Sequence, residues 1–168
     1  MFKLEILDKY WLPGMPEEED LCLHGKVRVH IGDAVLEDEV SLSAAALHLL
    51  RSITEDHEPD CLAKLFPTDG FCWTPDREGS IYLGGCPNGG IDGRVMHAGD
   101  MVSIALDDLQ PVQLPLEIYR KQVFAFADEV EMAFRQSMAK VVTAELDKLW
   151  YPCFWKEWRW RREAEENP

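Results

Sequence analysis

The stretch from residue 62 to residue 115 constrains the fold most, because short apolar segments alternate there with tight turns. The connections are rich in Gly, Pro, Asn and Asp, which favour turns. Parallel strands need crossovers of roughly a dozen residues or more, so this spacing predicts an antiparallel meander. The predicted strands are Gly70–Thr74, Ser80–Leu83, Ile91–His97, Met101–Leu106 and Pro111–Leu114.

The segment Leu21–Ile31 has the clearest strand pattern, a period of two. One predicted face is apolar and holds Leu21, Leu23, Val27, Val29 and Ile31. The other face holds Cys22, His24, Lys26, Arg28 and His30. Phe2–Leu7 predicts an opening edge strand, and Ala34–Glu37 a short hairpin partner after the turn at Gly32-Asp33.

Two helices are predicted from apolar residues that recur at helical spacing. The first covers Leu42–Thr54, with Ser41 or Ser43 accepting from its orphan amides. The second begins at Pro115 and is expected to lie across the sheet. Its apolar stripe consists of Tyr119, Val123, Phe126 and Val130, continued by Ala133 or Phe134.

The end of the chain is unusually aromatic. A helix is predicted over Ala139–Lys148, interrupted by Pro152 and resumed over Phe154–Glu163. The aromatic stripe is either core or an interaction surface. The chain is therefore predicted as one α+β domain over residues 1–150, with a helical tail over 151–168 packed on it. Its architecture would be an antiparallel meander sheet against a long amphipathic helix, with a short first helix and an aromatic-rich helical C-terminal tail.

The chain has 17 Lys and Arg against 31 Asp and Glu, a formal net charge of −14. Binding of nucleic acid needs clustered basic residues, so we expect no nucleic-acid ligand. No run approaches the roughly 18 apolar residues of a spanning helix. The opening segment Met1–Asp8 carries acids inside its apolar run and is not predicted to be a signal peptide, so we expect a cytoplasmic protein that binds no membrane. The acids form either a solvated surface or one complementary to a basic partner. Their clusters are Glu17–Asp20, Glu37–Glu39, Glu55–Asp60, Asp107–Asp108 and Asp128–Glu131.

The cysteines predict free thiols and neither a disulfide framework nor a metal site. There are five, at wide spacings and without a CxxC pair: Cys22, Cys61, Cys72, Cys86 and Cys153. His24 and His30 would stand about 20 Å apart on one strand, too far to share an ion. A zinc site built on Cys22 and His24 would need two more ligands that the sequence does not place. No cofactor is predicted.

Catalysis is not predicted, because no set of nucleophile, base and orienting group is recognisable. The one arrangement worth naming is Cys86 with His97 on the next predicted strand. The Gly-rich segment Gly84–Gly90 lacks the Lys-Ser/Thr of a phosphate-binding loop and predicts a wide hairpin turn.

Several segments resemble immunity proteins of bacterial polymorphic-toxin systems and other small bacterial proteins. They are Tyr10–Gly14, Asp20–Gly25, Ser43–Leu50 and Gly85–Asp92, followed by the long amphipathic helix. The resemblance implies a protein that binds a cognate toxin and masks its active site. Many such toxins attack nucleic acids and are basic, which an acidic inhibitor would suit.

The sequence therefore predicts a non-catalytic acidic protein that binds another protein, with the polar face of 21–31 as a further anchor. A small-molecule or peptide module using a pocket between sheet and long helix is the alternative, and a cysteine-dependent enzyme the third. The sequence leaves open whether the protein forms a homodimer. The predicted partner-binding residues are Glu17, Glu18, Glu19, Asp20, Glu37, Asp38, Glu39, Glu55, Asp56, Trp155 and Trp158.

Overall fold

The computed structural model describes residues 1–70, 74–75 and 81–163 and has the α+β fold that the sequence predicts. Within these residues the strands form two three-stranded sheets and one two-stranded pair, all antiparallel. The elements are β1 (Phe2–Tyr10), β2 (His24–Ile31), β3 (Ala34–Ser41), α1 (Leu42–Arg51), β4 (Thr74–Pro75), β5 (Ile81–Tyr82), β6 (Gly93–Ala98), β7 (Met101–Leu106), β8 (Val112–Pro115), α2 (Leu116–Gln136) and α3 (Glu145–Glu163).

The first sheet has the order β1-β2-β3, so β1 is the predicted edge strand. Alternate β2 residues are buried from Gly25 to Ile31, which confirms the period of two. The strand begins at His24 rather than Leu21, and His24 is itself buried. Gly25 is needed here because a Cβ would lie 2.0 Å from the Asp8 carbonyl oxygen.

The second sheet has the order β6-β7-β8 and is the meander predicted for residues 91–114. The prediction that one meander extends from residue 70 to residue 114 is wrong, because residues 81–82 pair with β4 in a separate two-stranded pair. The predicted strand Gly70–Thr74 falls mostly outside the described residues. Helix α2 contacts β1 of the first sheet and β7 and β8 of the second, so the long helix joins the two.

Helix α1 starts where predicted and ends earlier, at Arg51 instead of Thr54. Ser41 caps it, since its Oγ accepts from the Ala44 amide at 3.4 Å. Burial extends beyond the regularly spaced apolar residues that predicted this helix, because every residue from Leu42 to Leu50 is buried. The helix contacts β2, β3, α2 and α3, which cover it from several sides and make it the centre of the core.

Helix α2 follows the sequence prediction closely. It begins directly after Pro115 and buries Tyr119, Val123, Phe126, Ala127 and Val130. The Tyr119 hydroxyl lies 2.6 Å from Ser52 Oγ, so this buried polar pair is satisfied inside the core.

Helix α3 corrects the prediction for the end of the chain. It is one continuous helix that passes through Pro152, and the predicted boundary between residues 150 and 151 falls inside it. Proline costs about 3 kcal/mol in a helix interior. Trp150, Phe154 and Trp158 recur every four residues on its buried side, and this packing offsets that cost. Residues 137–144, predicted as helical from Ala139 on, form no helix.

Among the helices of the described residues, none combines the length and the apolar character needed to cross a bilayer.

Candidate functional site

The acidic cluster on β3 is engaged within the first sheet. The carboxylate of Glu37 pairs with both Lys26 Nζ and Arg28 Nη2 at 2.6 Å, and these bonds hold the pKa of the Glu37 carboxyl below its usual range. Asp38 accepts from the Gly90 amide at 2.8 Å, and Glu39 from the Tyr10 hydroxyl at 3.1 Å. The predicted polar face of β2 therefore pairs largely with its own neighbouring strands.

The acids after α1 are likewise engaged by nearby groups. Glu55 lies 2.5 Å from Arg161 Nη1. Asp56 accepts from the amide of His97 at 2.8 Å, and the His97 ring holds the pKa of Asp56 below its usual range. Glu58 pairs with Arg94 at 2.7 Å. These pairs fasten the residues after α1 to β6 and α3.

The loop that contains Glu17–Asp20 is fastened mainly through its backbone and one buried carboxylate. Asp20 is 3% exposed and accepts from the amides of Leu12 and Cys22 at 2.7 and 3.0 Å. Glu17 accepts from the Met138 amide at 2.9 Å, and the carbonyl of Glu18 accepts from Val141. Asp20 therefore supports the loop, while Glu19 stays exposed.

This loop and the first turns of α3 enclose a cavity of about 230 Å³, here called the acidic groove. Its apolar walls come from Leu12, Met15, Leu21, Leu146 and Trp150. Glu19, Asp20 and Asp147 add carboxylates, and Asp147 accepts from the Trp150 indole at 2.8 Å. Of the groove residues, Met15 and Leu146 are 46% and 56% exposed. Leu149, which follows Leu146 by three residues on α3, is 62% exposed, so the apolar wall continues onto the surface.

His24 lines the acidic groove and is 8% exposed. Its Nε2 atom has no hydrogen-bond partner. Burial lowers the pKa of His24 despite the opposing effect of Asp20 and Asp69, so the ring is neutral at pH 7. Tyr10 stacks on it with ring centroids 6.0 Å apart. An unpaired polar atom thus lies among apolar groove walls.

A second cavity, of about 210 Å³, lies at the C-terminal end of α1 and is here called the imidazole pocket. His48 and His57 both line it, and their ring centroids are 6.4 Å apart. His57 Nε2 lies 3.1 Å from Asp92 Oδ1. Asp92 also accepts from the amides of Leu65 and Asp60, at 3.0 and 2.9 Å, so its carboxylate is fixed in place.

The structure does not join Cys86 to His97. The His97 ring places Nδ1 2.8 Å from Asp56 and Nε2 3.0 Å from the Ile53 carbonyl, so both nitrogens are engaged away from Cys86. The amide of Cys86 donates to Asp69 at 2.7 Å. A cysteine nucleophile needs an adjacent base, which this geometry does not supply from His97.

The remaining cysteines differ in their surroundings. Burial, reinforced by Asp20, raises the pKa of the Cys22 thiol, so it is not a thiolate. Cys61 is exposed and Cys153 half-buried, while Cys72 lies outside the described residues. Across the described ranges, no three His, Cys, Asp or Glu side chains gather where they could hold a metal ion.

The two predicted tryptophans have different environments. Trp158 is 1% exposed and belongs to the core, so it presents no surface to a partner. Trp155 is half-buried and contacts Phe134 edge to face at a centroid distance of 4.9 Å. It lines a cavity of about 420 Å³ between α2 and α3. Of the cavities described here, this one most resembles the pocket that was predicted between the sheet and the long helix.

Sequence reasoning missed the imidazole pocket and the apolar part of the acidic groove. His57 and Asp92 are 35 residues apart in the sequence, and no local pattern indicates that two such distant residues will pair. Leu146 and Leu149 did carry a signal, because apolar residues three apart share a helix face. The chain was compared with protein-family models, with curated proteins and with solved structures, and none of them matched.

Proposed function

We propose that this protein is a non-catalytic acidic binding protein whose partner is a basic protein docking at the acidic groove. The observation that carries the proposal is the combination of exposed apolar side chains with carboxylates at one place. Met15 and Leu146 are exposed in the groove that Glu19 and Asp147 also line, and Leu149 is exposed three residues further along α3. Exposed apolar side chains beside a concave, polar-rimmed site are a mark of recognition surfaces.

The apolar part would supply most of the binding energy. An amphipathic segment of the partner could bury Leu146 and Leu149, which lie one turn apart on α3, against its own apolar face. The unpaired Nε2 of His24 at the groove wall offers one directional contact to that segment. Burial of these groups would remove both exposed apolar area and an unsatisfied polar atom.

The charge of the chain would supply specificity and speed. A net charge of −14 attracts basic partners and repels acidic ones, and this steering raises the association rate at low salt. Glu18 and Glu19 stand at the loop beside the groove and direct that field toward it. Trp155, by contrast, lies near a different cavity, so its predicted role in the interface is separate from this one.

The cellular role that we propose is immunity or antitoxin function in the bacterial cytoplasm. It rests on the resemblance of several segments to immunity proteins and on the suitability of an acidic surface for a basic toxin that acts on nucleic acid. Inhibition would then require that the docked groove covers, or stands beside, the active site of the toxin.

The test is purification of the tagged protein from its native host at low salt, with mass spectrometry of what co-elutes. We expect one basic protein in stoichiometric amount that causes growth arrest when expressed alone and is neutralised by this chain. The double variant Leu146→Asp and Leu149→Asp should lose both binding and neutralisation.

The matched control is the double variant Ile118→Asp and Met132→Asp on α2. These residues are 45% and 50% exposed, and the substitutions add the same charge away from the groove. Loss of binding in both double variants would show a nonspecific charge effect. Retention in the α3 variant would exclude the acidic groove as the docking site. A partner that binds without being toxic would leave the binding proposal intact and overturn the antitoxin role.

A further inference from the structure

The imidazole pocket contains a buried nitrogen that the fold itself does not satisfy. His48 is 5% exposed, and its Nε2 atom has no hydrogen-bond partner. A backbone hydrogen bond to Leu83 engages the other ring nitrogen, Nδ1, as a donor. Burial, together with the positive charge of Arg51, lowers the pKa of His48 to about 3. Nε2 therefore carries a lone pair, which accepts a hydrogen bond and does not donate one at neutral pH.

His57 presents a second acceptor in the same pocket. The fixed carboxylate of Asp92 faces its Nε2 atom at 3.1 Å, so in the neutral ring the hydrogen sits on Nε2. The lone pair of that ring is then on Nδ1. His48 and His57 line one cavity with ring centroids 6.4 Å apart, a distance that one small group can span.

The mouth of the pocket favours a cation. Four carboxylates line it, those of Glu55, Asp56, Glu58 and Asp60. Glu55 and Glu58 already pair with Arg161 and Arg94, so Asp56 and Asp60 offer the negative charge to a ligand. Arg51 is already neutralised by Glu157, which it contacts through two bonds of 2.7 and 2.8 Å. A ligand that donates hydrogen bonds and carries positive charge complements both the acceptors inside and the carboxylates outside.

We propose that the imidazole pocket binds a primary ammonium group, which donates to His48 and His57 while the carboxylates at the mouth balance its charge. A divalent metal ion fits less well, because the described residues bring no three ligating side chains together. The volume of about 210 Å³ suits a short alkylamine or the end of a lysine side chain. This site is distinct from the acidic groove and does not depend on the proposed function.

The test is titration of the ¹⁵N-labelled full chain with n-butylamine at neutral pH, observed through the ring nitrogens of its histidines. Before titration, the His48 Nε2 resonance should have the shift of an unprotonated nitrogen. We expect saturable changes at His48 and His57, with a Kd of about 1 mM, a value within reach of so small a ligand. Tetramethylammonium has the charge without an N–H, so it should produce no such change.

A pair of variants separates the pocket from other buried imidazoles. His48→Phe keeps an aromatic ring without the acceptor and should abolish butylamine binding. His24→Phe removes the other unpartnered buried imidazole and should leave binding unchanged. Nα-acetyl-lysine amide distinguishes the source: equal binding assigns the site to a lysine side chain of a protein, and weaker binding to a free amine.

Three results would overturn the proposal. One is the absence of saturable shifts in the wild-type chain, which needs no variant to fold. Another is an equal response to tetramethylammonium, which would show attraction by charge alone. The third is butylamine binding that survives in a folded His48→Phe variant.

Discussion

At its C-terminal end, helix α3 is fixed by ion pairs, whereas its N-terminal end presents apolar side chains to solvent. Glu157 is 2% exposed and paired with Arg51, and Arg162 pairs with Asp128. Near the other end, Leu146 and Leu149 are more than half exposed, and Glu145 pairs locally with Lys148. The same helix thus carries structural charges at one end and a candidate binding surface at the other.

This difference shows that acidity by itself does not identify a binding surface. The carboxylates of Glu37, Glu55 and Asp56 have partners within the chain, so much of the negative charge serves the fold. The charge that remains available lies where carboxylates adjoin exposed apolar groups, as at the acidic groove. Substitutions near the two ends of α3 should therefore differ in their effects on stability and on binding.

The largest effect is expected for Glu157→Ala. This substitution leaves the guanidinium of Arg51 without its carboxylate and removes the acceptor of the Ile81 amide, so it should cost about 3 kcal/mol of unfolding free energy. Glu145→Ala at the other end breaks an exposed pair and should cost less than about 0.5 kcal/mol. Urea denaturation measures both, and equal losses would contradict the contrast between the ends.

Next in size is a pH effect from His48, beside the fixed end. The neutral ring has a folded pKa of about 3, against about 6.5 in the unfolded chain, so acid stabilises the unfolded state. Stability should therefore fall as pH drops below about 6.5. Between neutral pH and pH 5 the loss should reach about 2 kcal/mol, and His48→Phe should remove that part. Denaturation curves at several pH values test this, and parallel pH profiles for the two proteins would refute it.

A smaller loss is expected near the groove end for Asp20→Ala. The substitution leaves the amides of Leu12 and Cys22 without their acceptor, which should cost about 1.5 kcal/mol. Glu19→Ala is the control, because Glu19 is exposed and should contribute less than about 0.5 kcal/mol. Thermal unfolding of the two variants measures the difference, and an Asp20 effect as small as that of Glu19 would remove its structural role.

The smallest effect on stability, with a selective effect on binding, is expected for Glu19→Lys. Stability should change by less than about 0.5 kcal/mol, while association with the basic partner should slow several-fold at low salt. At high salt the rates should converge, because screening shortens the range of the field. Stopped-flow association at two ionic strengths checks this. A rate that does not respond at low salt would place the loop outside the encounter surface.

Local patterns in the sequence predicted a large part of the fold. The period of two in β2, the cap at Ser41 and the start of α2 after Pro115 all depend on residues a few positions apart. The buried stripe of α2 follows in the same way. Immediate neighbours determine backbone propensity and side-chain direction, so these features can be read without knowledge of the rest of the chain.

The candidate sites depended on distant residues. The Glu17–Asp20 loop was visible as charge, but the burial of Asp20 and the exposure of Leu146 come from how the loop meets α3. The imidazole pocket joins His48 and His57 to Asp92 across a long stretch of chain. A composition or a spacing cannot distinguish a paired carboxylate from a free one.

The acidic character thus follows from the composition, and the α+β class and the positions of most helices and strands follow from the order of the residues. Three features depend on the packing of distant segments: the burial of α1 on every side, the continuation of α3 through Pro152 and the pairing of Arg51 with Glu157. The physical reason is that helix and strand patterns come from short-range sterics and hydrogen bonds, while burial and charge pairing depend on which remote groups the completed fold brings into contact.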